Sequence, residues 1–367
     1  MQPFKVIISG GGTGGHIFPA IAIANALKDK VVGVEILFVG AKGKMEMEKV
    51  PNAGYPIKGL CISGLQRSLK DARNLLFPFK LLNSLWKSFW IIKNYKPHVI
   101  VGTGGYASGP LLFMGSKLGI PALIQEQNSY PGITNKLLAK TVQCICVAYA
   151  NMERFFPKEK ILFLGNPVRQ DILEIKNKRA EAIQHFELDP QKKTVLVIGG
   201  SLGAKTINES MASCLGILSN EYTQLIWQTG KNYAEQATKD AEGKSHVKVM
   251  PFISKMDLAY AAADIIVSRA GASTISELCL IGKPTILVPS PNVSEDHQTK
   301  NAMAVYNEKA ALMVADKSAK ENLPLVLRDL LGNIAQQQEL GENITKLAKH
   351  QSAEMIADEV IKLVEHA

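Results

Sequence analysis

The sequence predicts an α/β protein with two parallel-sheet domains that face a common cleft. Three observations carry this prediction. Short apolar strands alternate with helical patterns along the whole chain, three of these strands run into glycine-rich turns, and the turns are spread over both halves. Such alternation is typical of parallel sheets wrapped by helices. Because open α/β sheets bind ligands at the carboxyl ends of their strands, we expect these turns to line the site.

The glycine-rich turns span Gly10–His16, Gly102–Tyr106 and Gly199–Ala204. Glycine lets the backbone approach a ligand closely, and a helix that begins there points N–H groups at a bound anion. The first turn fits the dinucleotide pattern only in part, because the next strand ends in Gly40 instead of an acid for the ribose. The third is not a Walker A loop, because Ala204 stands where that pattern needs glycine. Both a nicotinamide dehydrogenase and a P-loop ATPase are therefore disfavoured.

The order of elements divides the chain into two sets of strands. The expected strands are 4–9, 34–39, 99–101, 122–125, 144–147, 161–164, 194–198, 225–228, 247–250, 264–267, 285–288 and 311–314. Gly165-Asn166-Pro167 ends the first set, so the first domain is predicted over 1–165 and the second over 166–345. Residues 346–367 are expected to form a helix that packs back on the first domain.

Composition excludes several classes of protein. A chain of 367 residues has room for two domains, and none of its apolar runs reaches the ~18 residues of a membrane span. The N-terminus lacks a signal-peptide pattern, so we expect a cytosolic protein. The five cysteines include no C-x-x-C pair, which predicts reduced thiols and no zinc site. The chain also has no D-x-D motif for a metal.

The net charge of +9 is concentrated in one segment, 58–96, which has eight basic residues and one acidic residue. Its first part mixes basic and large apolar side chains, a composition typical of a membrane surface rather than a nucleic-acid module. The stripe Leu82, Leu85, Phe89 and Ile92 has helical spacing and is expected to pack in the core. The predicted membrane patch comprises Ile62, Leu65, Arg67, Leu75, Leu76, Phe77, Phe79 and Lys80.

Polar segments follow other strands, and 268–277 is the most informative of them. Its small residues let a helix begin close to a ligand, and Glu277 is placed to accept two hydrogen bonds from a ribose diol. A carboxylate near a helix start is also common without any ligand, because the helix dipole stabilises it. Position alone favours the explanation that involves no ligand.

Seven motifs occur in one order over essentially the whole chain: GGTGGH, GTGGYASGP, QEQN with TNKLLAK, GNPVR, GGSLGA, SRAGASTISE and DHQ…NA. Together they resemble the MurG family of N-acetylglucosaminyltransferases. The resemblance implies a GT-B architecture with two Rossmann-like domains. It also implies transfer of GlcNAc from UDP-GlcNAc to the muramyl C4 hydroxyl of lipid I, which forms lipid II in peptidoglycan synthesis. The enzyme would lie on the cytoplasmic side of an anionic membrane as a peripheral protein, with other cell-wall enzymes as further partners and no nucleic acid.

The resemblance also implies roles for individual residues. His16 and Glu126 would be catalytic, and Gly104, Gly105 and Tyr106 would form an acceptor loop. The 62–80 stretch corresponds to the family's membrane-docking patch. The UDP-GlcNAc site would comprise Thr13, Gly14, Gly15, Asn128, Arg169, Ser201, Ile253, Ala272, Ser273, Thr274, Ile275, Ser276, Glu277 and Gln298.

One departure concerns the general base. Many family members have histidine where this chain has Gln125, and glutamine cannot take up a proton near neutral pH. The base is then His16, with Glu126 as the second candidate, because imidazole titrates near neutral pH. The leaving diphosphate would be met by Arg169, the Ser201 turn and helix N-termini, so no cofactor or metal is expected. A UDP-GlcNAc epimerase and a non-catalytic subunit that binds nucleotide sugars and recruits wall enzymes to the membrane are the alternatives.

Overall fold

The structure, a computed structural model, describes residues 4–64, 75–168, 172, 175, 177–200, 202–218 and 221–366. The chain forms two compact units. Unit 1 comprises Met1–Val168 with His350–Ala367, and unit 2 comprises Arg169–Lys349. The unit boundaries therefore fall a few residues beyond positions 165 and 345.

Unit 1 is a parallel sheet of seven described strands in the order β3-β2-β1-β4-β5-β6-β7. Its strands are β1 Lys5–Gly10, β2 Glu35–Ala41, β3 Ile57–Leu60, β4 Val99–Gly104, β5 Ala122–Glu126, β6 Cys144–Val147 and β7 Ile161–Phe163. Its helices are α1 Gly14–Lys30, α2 Glu46–Asn52, α3 Phe77–Tyr95, α4 Ser108–Lys117, α5 Ile133–Leu138 and, at the end of the chain, α14 Ser352–Glu365.

Two cores cover the faces of the unit 1 sheet. Because side chains alternate along a strand, Val6 and Ile8 of β1 point into one core while Ile7 points into the other. The first core also receives Ile356 and Val360 from α14. The last helix of the chain is thus part of unit 1, and its apolar face is buried there.

Unit 2 is a parallel sheet of six described strands in the order β10-β9-β8-β11-β12-β13. Its strands are β8 Lys193–Ile198, β9 Thr223–Gln228, β10 Val247–Met250, β11 Ile265–Ser268, β12 Thr285–Leu287 and β13 Leu312–Met313. Its helices are α6 Arg179–His185, α7 Lys205–Cys214, α8 Ala234–Asp240, α9 Met256–Ala262, α10 Ala272–Ile281, α11 His297–Tyr306, α12 Ala319–Gly332 and α13 Ile334–Lys346.

The predicted fold class and all twelve predicted strands are confirmed. Strand β3 was not predicted. It pairs only with β2 at the sheet edge, and Leu60 is its only buried residue. An edge strand needs no continuous apolar run, so its sequence Ile-Lys-Gly-Leu gives little signal.

The glycine-rich turns lie at the points where the strand order reverses. In unit 1 this point is between β1 and β4, and in unit 2 it is between β8 and β11. Open α/β sheets leave a crevice for ligands beyond the carboxyl ends of the strands at these points. Each sheet therefore presents its glycine turns where a ligand is expected.

Helix α3 corrects the predicted packing of its apolar stripe. Its buried residues are Ser84, Ser88 and Ile92, whereas Leu82 is exposed. Of the other stripe residues, Leu85 and Phe89 are partly buried and Ile92 is buried, so the predicted core packing fails at Leu82 and holds at Ile92. None of the described helices is long and apolar enough to cross a membrane.

All five cysteines are free thiols. Four are buried, and burial raises the pKa of the Cys214 and Cys279 thiols to about 12. These thiols stay protonated and belong to the core. Within the part of the chain that the structure describes, no group of three or more His, Cys, Asp or Glu side chains is arranged to hold a metal ion.

Candidate active site

His16 lies in the first turn of α1, directly after the turn that ends β1. Thr13 occupies the N-cap position in an extended conformation, so Gly14 and Gly15 open the helix. The first N–H groups of a helix have no partner within it, and those of Gly14 and Gly15 are suited to an anion. The turn therefore places an imidazole beside a potential phosphate site.

The geometry around His16 assigns its tautomer. Its Nδ1 lies 3.0 Å from the carbonyl oxygen of Gly11 and 3.3 Å from the Thr13 hydroxyl. A carbonyl can only accept, so Nδ1 carries the proton and Nε2 carries the lone pair. This is the form of histidine that can act as a base through Nε2.

The second glycine turn packs against the first. Gly104 and Gly105 have φ values of +98° and +89°, which favour glycine. A Cβ at Gly105 would collide with the carbonyl oxygen of Gly11, and one at Gly104 would lie 3.0 Å from His16 Nε2. Glycine at positions 104 and 105 therefore lets the second turn contact the first. The imidazole of His16 lies against the Gly104 backbone. Tyr106, which follows them, is exposed.

Glu126 ends β5 and is only 2% exposed. Its Oε1 accepts from the backbone N–H of Asn128 at 3.0 Å and from the Asn128 amide at 3.1 Å. Its Oε2 accepts from the N–H of Gly132 at 3.1 Å and from the Asn135 amide at 2.8 Å. The four donors fix the loop after β5 and the orientation of Asn128. This geometry favours a positioning role for Glu126.

Gln125 lies in β5 and is fully buried. Its amide donates to Asn166 at 2.8 Å, and Asn166 donates to the carbonyl of Gln127 at 3.0 Å. Gln127 in turn donates to the carbonyl of Thr103 at 2.7 Å. The amides connect the end of β5 with the end of β4 and with the segment after β7. Gln125 therefore has a structural role: its hydrogen bonds hold together the buried segments beneath the candidate site.

Glu46 is a site residue that the sequence did not reveal. Its carboxylate is fully buried and accepts from the N–H groups of Gly12 at 2.9 Å and Ala41 at 2.8 Å. A Cβ at Gly11 or Gly40 would occupy its position. Glu46 thus stabilises the first glycine turn through its bond from Gly12 and ties that turn to the end of β2 through its bond from Ala41. The only feature of the sequence that could have pointed to Glu46 is its position in the first turn of the helix that follows Gly40.

In unit 2, helix α10 begins after Gly271 with Ala272, Ser273 and Thr274. Its first turn contains no acidic residue, because Glu277 lies further along the helix. The helix-dipole explanation for Glu277 is thereby weakened, since that effect falls off after the first turn. The Ser273 hydroxyl is buried and has no hydrogen-bond partner among the residues that the structure describes. An unpaired buried hydroxyl beside a helix start suits a polar ligand.

Other predicted residues of unit 2 also lie at this edge of the sheet. The side-chain oxygen of Gln298 accepts from the N–H groups of Ser290 at 2.9 Å and Ala270 at 3.3 Å, so its amide nitrogen points elsewhere. Ile253 is buried as a whole residue and packs in a core cluster of unit 2. Arg169 and Ser201 lie outside the described residues.

Asp316 is a second residue that the sequence did not reveal. It accepts hydrogen bonds from the Arg269 guanidinium and, at 3.2 Å, from the Thr206 hydroxyl. Arg269 also donates to the carbonyl of Val288 at 2.9 Å. The segments after β8, β11, β12 and β13 are held together by these bonds. Asp316 is distant in sequence from every motif, so no spacing could point to it.

The predicted membrane patch is only partly exposed. Ile62 is 6% exposed and packs in the core, so it is removed from the patch. Leu75 and Phe79 are 75% and 72% exposed, Leu76 is exposed, and Phe77 and Lys80 are partly buried. Trp86 and Trp90 of α3 are also exposed, although they were not predicted for the patch. Leu65 and Arg67 lie outside the described residues.

Comparison with known protein families identifies the class of enzyme to which the chain belongs. Residues 6–147 match the N-terminal domain of glycosyltransferase family 28, and residues 194–360 match its C-terminal domain. The two parallel sheets with glycine turns at their switch points agree with this match. The class is therefore a two-domain glycosyltransferase of the GT-B type.

Individual relatives identify the family within this class of glycosyltransferases. A protein of Flavobacterium psychrophilum is 55% identical over 365 residues, which are 100% of this chain and 99% of the relative. It is named UDP-N-acetylglucosamine–N-acetylmuramyl-(pentapeptide) pyrophosphoryl-undecaprenol N-acetylglucosamine transferase. The crystal structure of Acinetobacter baumannii MurG is 29% identical with a TM-score of 0.80, and the match covers 98% of this chain and 100% of that one. The chain belongs to the MurG family.

A UDP-GlcNAc 2-epimerase also resembles this chain in fold. The Neisseria meningitidis enzyme, solved with UDP-GlcNAc bound, has a TM-score of 0.67 at 14% identity, and the match covers 98% of this chain and 100% of that one. At that identity the likeness concerns the fold alone.

Proposed function

We propose that this protein transfers GlcNAc from UDP-GlcNAc to the muramyl C4 hydroxyl of lipid I, and so forms lipid II for peptidoglycan. The observation that carries the proposal is the 55% identity, over the whole chain, to a relative named for this transfer. Lipid I is the N-acetylmuramyl-(pentapeptide) pyrophosphoryl-undecaprenol of that name. Family membership favours the transferase over the epimerase.

The reaction is a single displacement with inversion at C1 of GlcNAc. The acceptor O–H bond breaks, the C4 oxygen bonds to C1, and the bond from C1 to the diphosphate breaks with its electron pair on UDP. His16 takes the proton on Nε2, the atom left as an acceptor by the bond from Nδ1 to Gly11. Glu126 holds the loop of Asn128, which meets the donor sugar.

The remaining site residues bind the donor. Glu277 accepts from the ribose hydroxyls, the start of α10 lines the nucleotide, and the Gln298 amide meets GlcNAc hydroxyls. Thr13, Gly14, Gly15, Arg169 and Ser201 stabilise the diphosphate as its negative charge develops. Gly104, Gly105 and Tyr106 form the acceptor loop. In this proposal, protein groups stabilise the negative charge of the leaving diphosphate, and the transfer needs no metal.

UDP release by the purified protein tests the transferase. We expect release from UDP-GlcNAc only when a lipid I analogue is added, and we expect the same rate with a chelator present. Donor turnover without the acceptor would instead indicate an epimerase or hydrolase. Tight UDP-GlcNAc binding with no turnover in either condition would indicate a recruiting subunit.

We propose further that the protein lies on the cytoplasmic face of the membrane as a peripheral protein and docks through α3 and the residues before it. Leu75, Leu76 and Phe79 are exposed, as are Trp86 and Trp90. Helix α3 also has three lysines and no acidic residue. Exposed apolar side chains with cationic neighbours fit an anionic lipid surface. Such a surface would bring the protein to its lipid-linked acceptor and to other cell-wall enzymes.

Substitution of Leu75 and Phe79 by glutamate should weaken binding to phosphatidylglycerol vesicles by at least about 100-fold. Each side chain contributes roughly 1.5–3 kcal/mol when it enters lipid. Co-sedimentation measures this loss, and turnover of a soluble acceptor analogue should stay unchanged. Phe163→Ser, an exposed phenylalanine of β7, is the control and should bind vesicles normally. Equal binding by both variants would exclude this surface.

A further inference from the structure

We infer that Tyr260 is a positioning residue that orients Glu277 and thereby sets the preference of unit 2 for a ribonucleotide. The inference rests on the proposed contact between Glu277 and the ribose. Tyr260 lies in α9, where its hydroxyl donates to Glu277 Oε2 at 2.9 Å. Neither sequence motifs nor the resemblance drew attention to it.

The ring of Tyr260 is rigidly placed. It is 1% exposed and is among the largest fully buried side chains of the chain. It belongs to the core cluster that includes Ile275 and Leu278 from α10, the helix of Glu277. Packing on these neighbours restricts the ring to one rotamer, so the hydroxyl projects from a fixed point.

Glu277, in contrast, has three side-chain torsions and is only partly buried. The last torsion of glutamate is broad, so packing alone does not orient its carboxylate. A cis-diol is best held when the carboxylate oxygens face both hydroxyls at once. The bond from Tyr260 engages one lone pair of Oε2 and restricts the rotation of the carboxylate.

This arrangement has a consequence specific to the ribose hydroxyls. Loss of the Tyr260 hydroxyl would leave the ring packing intact and remove one restraint on the orientation of the carboxylate. Nucleotides with ribose hydroxyls would then bind less tightly, whereas nucleotides without them would be unaffected. A role of Tyr260 in core stability alone would weaken both kinds of nucleotide equally.

The experiment compares UDP with 2′,3′-dideoxy-UDP by titration calorimetry on the full chain. The wild type should bind UDP more tightly, and Tyr260→Phe should lower that preference by about 5–20-fold. For UDP-GlcNAc turnover, KM should rise by a similar factor with kcat unchanged, which is the signature of lost binding in ground and transition states alike. Tyr233→Phe, a partly buried tyrosine of the same unit, should behave like the wild type.

A double-mutant cycle separates the two roles. With Glu277→Ala present, Tyr260→Phe should change nothing further, because the group it orients is gone. If the wild type binds both nucleotides equally, Glu277 does not contact the ribose and that part of the proposed function fails. If the wild type discriminates but Tyr260→Phe discriminates equally well, or weakens both nucleotides by one factor, the positioning role is overturned.

Discussion

Replacement of His16 by alanine is expected to lower kcat by about 10²–10⁴-fold, the usual contribution of a positioned general base. UDP binding should stay nearly the same, because the proposed nucleotide contacts lie mainly in unit 2. Steady-state kinetics with a lipid I analogue and calorimetry with UDP measure the two quantities.

The size of this effect follows from how His16 is held. The carbonyl of Gly11 accepts from Nδ1, and the Gly104 backbone supports the ring. The imidazole therefore presents Nε2 with no need for a proton to move between its nitrogens. A base must be unprotonated to act, so the wild-type rate should fall on the acid side of the pH profile as the ring takes up a proton. His16→Ala should lose this dependence along with the rate.

His98→Ala is a matched control for this variant. His98 is an exposed histidine at the amino end of β4, the opposite edge of the sheet from His16. Its loss should leave kcat within a factor of two or so, because surface substitutions away from a site have small effects. An unchanged kcat in His16→Ala would remove this histidine from the reaction.

The fold was predictable because its determinants are local. Central strands of a parallel sheet are buried on both faces, so β1, β4, β5, β8 and β11 read as short apolar runs that end in turns. Helix α3 shows where such reasoning fails. Hydrophobic periodicity finds an apolar stripe but cannot tell whether the stripe meets the core or a surface. Here Ser84 and Ser88 face inward, and the tryptophans face outward.

The position of a candidate site residue in the fold could be predicted only where that residue follows a strand end closely in sequence. His16 and Glu277 follow strand ends in sequence, so their place at the carboxyl edge of a sheet could be inferred. Glu46, Asp316 and Tyr260 support these turns from other helices or from distant segments. Their partners are defined by the folded chain, and no spacing in the sequence expresses that contact.

Replacement of Glu126 by glutamine is expected to lower kcat/KM by about 100-fold, the effect of a small misplacement of reacting groups. Each oxygen of Glu126 accepts from two N–H donors, at Asn128 on one side and at Gly132 and Asn135 on the other. Whichever way the new amide is turned, its NH₂ group faces two donors. An unmatched buried donor costs about 1–3 kcal/mol, so the unfolding temperature should drop by about 5 °C or more.

The pH profile of this variant separates positioning from catalysis at Glu126. If Glu126 only orders the loop, Glu126→Gln should be slower and less stable, yet its rate should keep the acid limb of the wild-type pH profile, since His16 is intact. If Glu126 were the base, the variant should lose that limb, and its unfolding temperature should drop as well. The control is Glu153→Gln, which changes an exposed carboxylate of the same unit and should leave both the rate and the unfolding temperature unchanged. The buried and fully engaged carboxylate of Glu126 favours the first outcome, because a base must have a lone pair within reach of the acceptor hydroxyl.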